Sequence, residues 1–352
     1  MMCAGACPEL KSLKSLTKGE HVFHQIIVTL LAQLLQPLQG SRLRRLMLPL
    51  GLGALLASAP PLFAQDVLAG ASLQPSAAVR QGGAMFQIQR DGRSAYVFGT
   101  IHVGKPDFYP MDAKVLQALQ QSCCLALEID PGNTQAMLPL MKKYGFYLDG
   151  KPHQKDLPPK LQKQLTALLD KYNMAPEQIA SLKPWLIATM LGISEYASQG
   201  YLSQYGVDGT LASLAKSSNK RLVELETADA QLALLGKLSL AEQVQFLQDS
   251  VDEIQDPAKA RRSLDLVNLW RNGDLDGLAA MLAEMNAEDS FASKFMQHSL
   301  LDGRNPGLAD GIAKLTSSAT DPFVAIGMLH LVGPNSVLAI LQQRGYTVKR
   351  IY

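Results

Sequence analysis

Cysteine is scarce in this chain and poorly placed for bridging or for holding zinc. The four are Cys3, Cys7, Cys123 and Cys124, and neither pair has a second Cys or His pair at zinc-site spacing, which excludes a zinc ribbon. Cys123 and Cys124 are neighbours, so in a strand they would face opposite sides; they read as small hydrophobes, not a redox pair. Surplus charge is lacking too. The chain carries 33 Lys and Arg against 31 Asp and Glu, a formal net charge of +2, so nothing favours a polyanion and nucleic acid is not an expected partner. An uninterrupted apolar run of the ~20 residues that a membrane span requires is also missing. Histidine is scarce as well, with 6 in 352 residues, which gives weight to any two that share a setting.

What is present is a globular composition, 47% hydrophobic and 18% charged, long enough for one large domain or two small ones. The first 64 residues read as an address. A basic run, Ser41 to Met47, leads into the apolar stretch Leu48 to Ala59 and then small residues, the order of a secretory signal, with a cut expected after Ala64. Pro49, Pro60 and Pro61 argue against a stable anchor, so membrane contact is expected to be transient and the mature protein periplasmic or secreted. Residues 1–40 are long for a leader; they are either a further targeting element or lie upstream of the true start. The expected organisation is leader and signal over 1–64, a linker rich in Ala, Ser, Gly and Gln over 65–83, and one domain over 84–352.

Within that domain, alternating residues from Ala84 to Arg90, a turn at Asp91-Gly92-Arg93 and a second apolar run from Ser94 to Phe98 predict a β-hairpin. Asp112 to Ser122 has helical spacing, and Cys124 to Glu128 reads as a buried strand, so that strand, turn, helix and strand suggest a right-handed βαβ unit. Helical periodicity fills about 134–215. Arg221 to Thr227 reads as another strand, more helices follow to Met296, and Phe323 to Gly327, a helix over about 335–343 and Tyr346 to Ile351 close the chain. The fold class expected is α/β: a mixed sheet flanked by helices, two related halves that each run strand-Gly-x-x-His, and a helical insertion between them.

Those halves hold the candidate chemistry. Gly99-x-x-His102 and Gly327-x-x-His330 both follow apolar strands, where glycine permits a sharp turn and ligands of open sheets bind at the carboxyl edge. Glu128 ends a strand at the same rim, and two imidazoles with a carboxylate form a natural ligand set for zinc, manganese or iron. Alone, either histidine reads as an ordinary satisfied side chain; the shared setting is what singles them out. Glu226 ends a further strand and is a candidate second acid. Arg304-Asn305 follows Asp302-Gly303 in what reads as a turn, either one where the arginine suits an oxyanion and the asparagine a carbonyl or a plain turn with a surface arginine. His153 and His298 lack the setting and read as surface or helix residues.

The run Tyr96-Val97-Phe98-Gly99-Thr100-Ile101-His102, followed by Leu127-Glu128, Lys183-Pro184-Trp185, Gly206-Val207-Asp208, Leu225-Glu226-Thr227, Arg304-Asn305, Gly327-Met328-Leu329-His330 and Gly345-Tyr346-Thr347-Val348, resembles the TraB/GumN family in full order. That family is similar to the TIKI metal-dependent peptidases and more distantly to erythromycin esterase and ChaN-like proteins. The resemblance implies an active centre of His102, Glu128 and His330, with Arg304 and Asn305 close by. The expectation is an exported hydrolase of peptide or ester bonds using a divalent ion (Mn, Co or Zn) on a peptide or small-molecule substrate. The alternatives are a metal-independent esterase with a histidine base and a periplasmic binder of ligand or peptide without turnover. Met328-Leu329 stands where many relatives carry small residues, which narrows the pocket.

Overall fold

A computed structural model describes residues 82–149, 151–318 and 321–352, side chains at 258–263 excepted; the expected leader and signal (1–64) and nearly all of the expected linker (65–83) lie outside the described residues. The hairpin forms as expected: β1 (Met85–Arg90) and β2 (Arg93–Thr100) pair antiparallel around Asp91 and Gly92, both at positive φ. Helix α1 (Ala113–Gln121) is capped by Asp112, whose side chain accepts from Lys114 N at 2.8 Å, and buries Val115, Ala118 and Leu119 at helical spacing. Strand β3 (Cys124–Leu127) is buried at every position, as expected of a strand covered on both faces. Cys124 is buried within it, whereas Cys123 lies exposed just outside.

The first helical block comprises α2 (Thr134–Gly145), α3 (Pro159–Lys171), α4 (Pro184–Ser198) and α5 (Val207–Ser217). Pro159 and Pro184 stand at helix starts, where the missing N–H costs nothing. Strand β4 (Arg221–Glu224) is followed by α6 (Ala228–Gly236), α7 (Leu240–Gln255), α8 (Pro257–Asn272), α9 (Leu275–Asn286) and α10 (Phe291–Phe295). A π-helical segment (Met296–Asp302), α11 (Asn305–Ser318), β5 (Phe323–Gly327), α12 (Val337–Gln343) and β6 (Thr347–Arg350) complete the order.

The strands form one six-stranded mixed sheet in the order β4-β3-β5-β2-β1-β6. The four on the β4 side run parallel, and β1 runs antiparallel to both its neighbours. The expected βαβ unit therefore gives parallel β2 and β3, yet they do not touch, because β5 enters last and pairs with both. That insertion brings the second Gly-x-x-His turn between the first and Glu128. Three boundaries move: β4 stops at Glu224, so Glu226 stands beyond the strand; Asn305 opens a helix instead of lying in a turn; and the last helix begins at Val337. The linker's final glycine is packed, with Gly83 N donating to Trp270 O at 2.8 Å. The buried apolar side chains form one continuous cluster through sheet and helices.

Candidate active site

The carboxyl ends of the four parallel strands share one edge, and each delivers a polar side chain there. His102 lies just past β2, Glu128 just past β3, Glu226 just past β4 and His330 just past β5; His102, Glu128 and His330 are all buried. They surround Gly327. A Cβ built on that glycine would stand 3.2 Å from Glu128 Oε1, 3.6 Å from His102 Nε2 and 3.5 Å from His330 Cδ2. His330 Nε2 is 3.9 Å from Glu128 Oε1. Thus the two histidines and the glutamate come together, and Arg304, Asn305 and Glu226 join them.

Arg304 is the clamp of the cluster. Its Nη2 donates to both Glu128 Oε2 and Glu226 Oε2, and its Nε reaches Glu226 Oε1 at 3.0 Å, so one buried guanidinium joins the ends of β3 and β4. Gln231 Nε2 adds a 2.8 Å bond to Glu226 Oε2. Glu128 Oε1 accepts Gly327 N–H at 2.7 Å, which ties β3 to β5. Burial pushes the Glu128 carboxyl upward, but Arg304, the imidazoles and the Gly327 amide outweigh it and hold the group well below the usual carboxylate range.

The histidines are oriented by different partners. Asn305 Nδ2 donates to Asn335 O at 2.8 Å, and a backbone carbonyl can only accept, so the other end of the amide, Oδ1, is the atom facing His330 Nδ1 at 2.6 Å. His330 therefore carries its proton on Nδ1 and keeps Nε2 as a lone pair. Burial and the nearby Arg304 push its pKa down to about 3, so the ring stays neutral. His102 Nδ1 pairs instead with the carboxylate of Asp208. Burial lowers the His102 pKa, yet Asp208 more than offsets this and the net shift is upward. Asp208 arrives there because Val207 N donates to Ile101 O at 2.8 Å, docking the first turn of α5 on the His102 loop. Gly206 permits that approach, since a Cβ would lie 2.7 Å from His102 O.

Sequence reasoning left Asp208 out of the site, although Gly206-Val207-Asp208 was among the motifs singled out; its helix-start position gave no hint that it met a histidine from another strand. Asn305 uses its Oδ1 and one Nδ2 N–H to position His330, which leaves the second N–H of the amide as a donor. His298 is exposed on the π-helical segment and His153 pairs at the surface with Asp149 and Asp156, as their settings implied.

The pocket is partly open to solvent, and its innermost space measures about 30 Å³, enough for a water-sized guest. Its lining joins the polar group His102, Glu128, Arg304 and His330, with Gly327 and Thr100, to the apolar Ile101, Leu266, Trp270, Leu301, Met328 and Leu329. Trp270 is fixed by a 2.9 Å bond from Nε1 to Gly99 O.

Fold and pocket together define an α/β protein with an open mixed sheet, whose carboxyl edge gathers two oriented imidazoles and an arginine-clamped carboxylate. The chain belongs to the TraB/PrgY/gumN family, whose sequence model matches residues 84–350. Among curated proteins it is similar to YbaP of Shigella flexneri, 24% identical over 254 residues that cover 71% of this chain and 88% of the relative. YbaP of Escherichia coli (strain K12) matches with the same identity and coverage, and both carry the description "uncharacterized". No solved structure matches.

Proposed function

We propose that the pocket is the centre of an exported hydrolase that cleaves an ester or amide bond in a peptide or small molecule, with a divalent ion (Mn, Co or Zn) held by His102, His330 and Glu128. The observation that carries this reading is the meeting of His102 Nε2, Glu128 Oε1 and the His330 ring around Gly327. The donor chemistry suits such an ion, and both Nδ1 atoms are tied to oxygen acceptors, the outer contacts that orient metal-binding imidazoles. Donors about 2.1 Å from a tetrahedral ion stand about 3.4 Å apart, close to the 3.9 Å between His330 Nε2 and Glu128 Oε1. Among the described residues no group of three or more His, Cys, Asp or Glu side chains already has the arrangement of a metal site.

When bound, the ion supplies positive charge that polarises the carbonyl and makes water easier to deprotonate. The chain's own residues do the rest. Asn305 holds His330 with its Nε2 lone pair forward, and Asp208 does the same office for His102. Glu226 fixes Arg304, whose Nη1 donates one N–H to Leu300 O at 3.4 Å and has a second for charge developing on the carbonyl oxygen. Water oxygen bonds to the acyl carbon, the bond to the alcohol or amine breaks, and the proton lost by water ends on that leaving group.

A second reading rests on the Arg304 clamp: both Glu128 oxygens already accept hydrogen bonds, and Arg304 supplies a cation at the carboxylate. There His102, backed by Asp208, takes the proton from water at Nε2 and returns it to the leaving group, with no ion needed. Export is supported by the basic run and apolar stretch of residues 41–64.

Metal analysis of the purified domain and cleavage of ester and peptide libraries, before and after chelation, test these readings. Loss of activity on chelation with recovery on adding Mn, Co or Zn is the expected outcome; activity that survives chelation selects the histidine base. Activity unchanged in His102→Ala or His330→Ala would reject the site, and tight ligand binding without turnover would leave a binding protein.

A further inference from the structure

Resting on the hydrolytic reading, we infer that the group entering this pocket is an apolar acyl group without negative charge, whose carbonyl oxygen is met by the Thr100 hydroxyl. The site has no surplus of positive charge: one guanidinium, Arg304, faces two carboxylates, Glu128 and Glu226, and His102 faces Asp208, so that even a divalent ion would only balance the three acids. His330 is neutral and spends its Nδ1 proton on Asn305. Among the described residues no lysine and no second arginine lines the cavity. An anionic substrate group would therefore be buried beside carboxylates without a counter-charge, which is strongly disfavoured.

Thr100 is the independent observation. It is 2% exposed and lines the cavity, and its Oγ1 has no hydrogen-bond partner. A buried hydroxyl left in this state is an unmet donor, and an uncharged carbonyl satisfies it without importing charge. The walls fit the same class of group. Leu266 and Trp270 lie one turn apart on α8, Leu301 comes from the π-helical segment, and Met328 from the turn after β5. Trp270 is pinned to Gly99 O, and Met328 sits so close over Gly99 that a Cβ there would meet its Sδ at 2.4 Å. Leu266 and Leu301 are thus the walls that can be trimmed to lengthen the accepted acyl chain.

Two arms test this. In the first, kcat/KM is measured for the p-nitrophenyl esters of butyrate, octanoate and succinate, the last an anionic ester of butyrate's length. Butyrate should exceed the succinate ester at least tenfold, Thr100→Val should lower the butyrate value about tenfold, and Leu266→Ala or Leu301→Ala should raise the octanoate-to-butyrate ratio several-fold. Equal use of the succinate ester, or ratios unmoved in both alanine variants, overturns the inference. In the second arm Trp270 emission is followed on adding butyramide or succinamate; the other tryptophan, Trp185, is buried against Tyr144 and Gly145. Emission changed by butyramide, weakened by Thr100→Val and absent with succinamate supports the inference even if no ester is hydrolysed, in which case the hydrolytic reading alone fails. Equal responses to the two amides, or none to either, overturn it.

Discussion

Gly327 has an ordinary backbone, φ −51° and ψ 132°, so its lack of a side chain is required by the pocket and not by the turn. An added methyl would occupy the space between Glu128 Oε1, His102 Nε2 and the His330 ring, at 3.2 to 3.6 Å from each. Gly327→Ala should therefore keep the far-ultraviolet circular dichroism of the wild type and shift Tm by only a few degrees, while lowering kcat/KM, or bound metal, at least a hundredfold. Retained activity would show that the space around Gly327 is not where chemistry happens. At this scale the sequence was legible where two residues shared a local pattern. His102 and His330 stood out because each follows a glycine-terminated strand, and Glu128 because it closes an apolar run. Asp208 was not legible as a partner of His102, since the two are 106 positions apart and meet only through the docking of α5. For the same reason Asn305 could be flagged as polar and near the site but not as the group that fixes the His330 tautomer.

Between residues and whole fold stand the elements that Arg304 ties together. It sits in the turn after the π-helical segment, where Gly303 N reaches back to His298 O at 3.0 Å, the wider step of a π-turn. From there the guanidinium spans the ends of β3 and β4 through Glu128 and Glu226. Arg304→Met would leave the Glu128 carboxylate buried without its cation, an arrangement that costs about 3–5 kcal/mol. The expected result is a lower urea midpoint by that amount, with part of the loss recovered in Arg304→Met/Glu128→Gln, where the buried group is neutral. No recovery in the double variant would mean that Arg304 acts through packing instead of charge. The sequence foretold the strands and most helices here because their periods are local. It did not foretell that β5 would part β2 from β3, because strand order is set by which buried faces find each other late in the chain. The π-turn was equally hidden; its residues carry no composition that separates them from an α-helix.

For the whole molecule, the site carries a signature in stability against pH, most simply read on metal-free protein. His330 has a folded pKa of about 3, below the ~6.5 of an unfolded histidine, so between those values the unfolded chain binds more protons. Its contribution is full above about pH 6.5 and is lost on acidification at up to about 1.4 kcal/mol per pH unit. Glu128 acts in the same direction but lower, since its depressed carboxyl favours the fold above the unfolded value near 4.3 and loses that only as pH falls through the folded one. His102 has the opposite sign: its raised pKa favours the fold below about 6.5, and that advantage fades as pH rises through the folded value. His330→Gln should accordingly lose less stability than the wild type from pH 6.5 to 4, and His102→Gln should lose less from pH 6.5 upward. Urea denaturation of the chelated protein at a series of pH values measures both limbs. Curves for the variants that run parallel to the wild type across both windows would mean that the two rings do not differ in proton affinity, and that the contrast between Asn305 and Asp208 does not govern them.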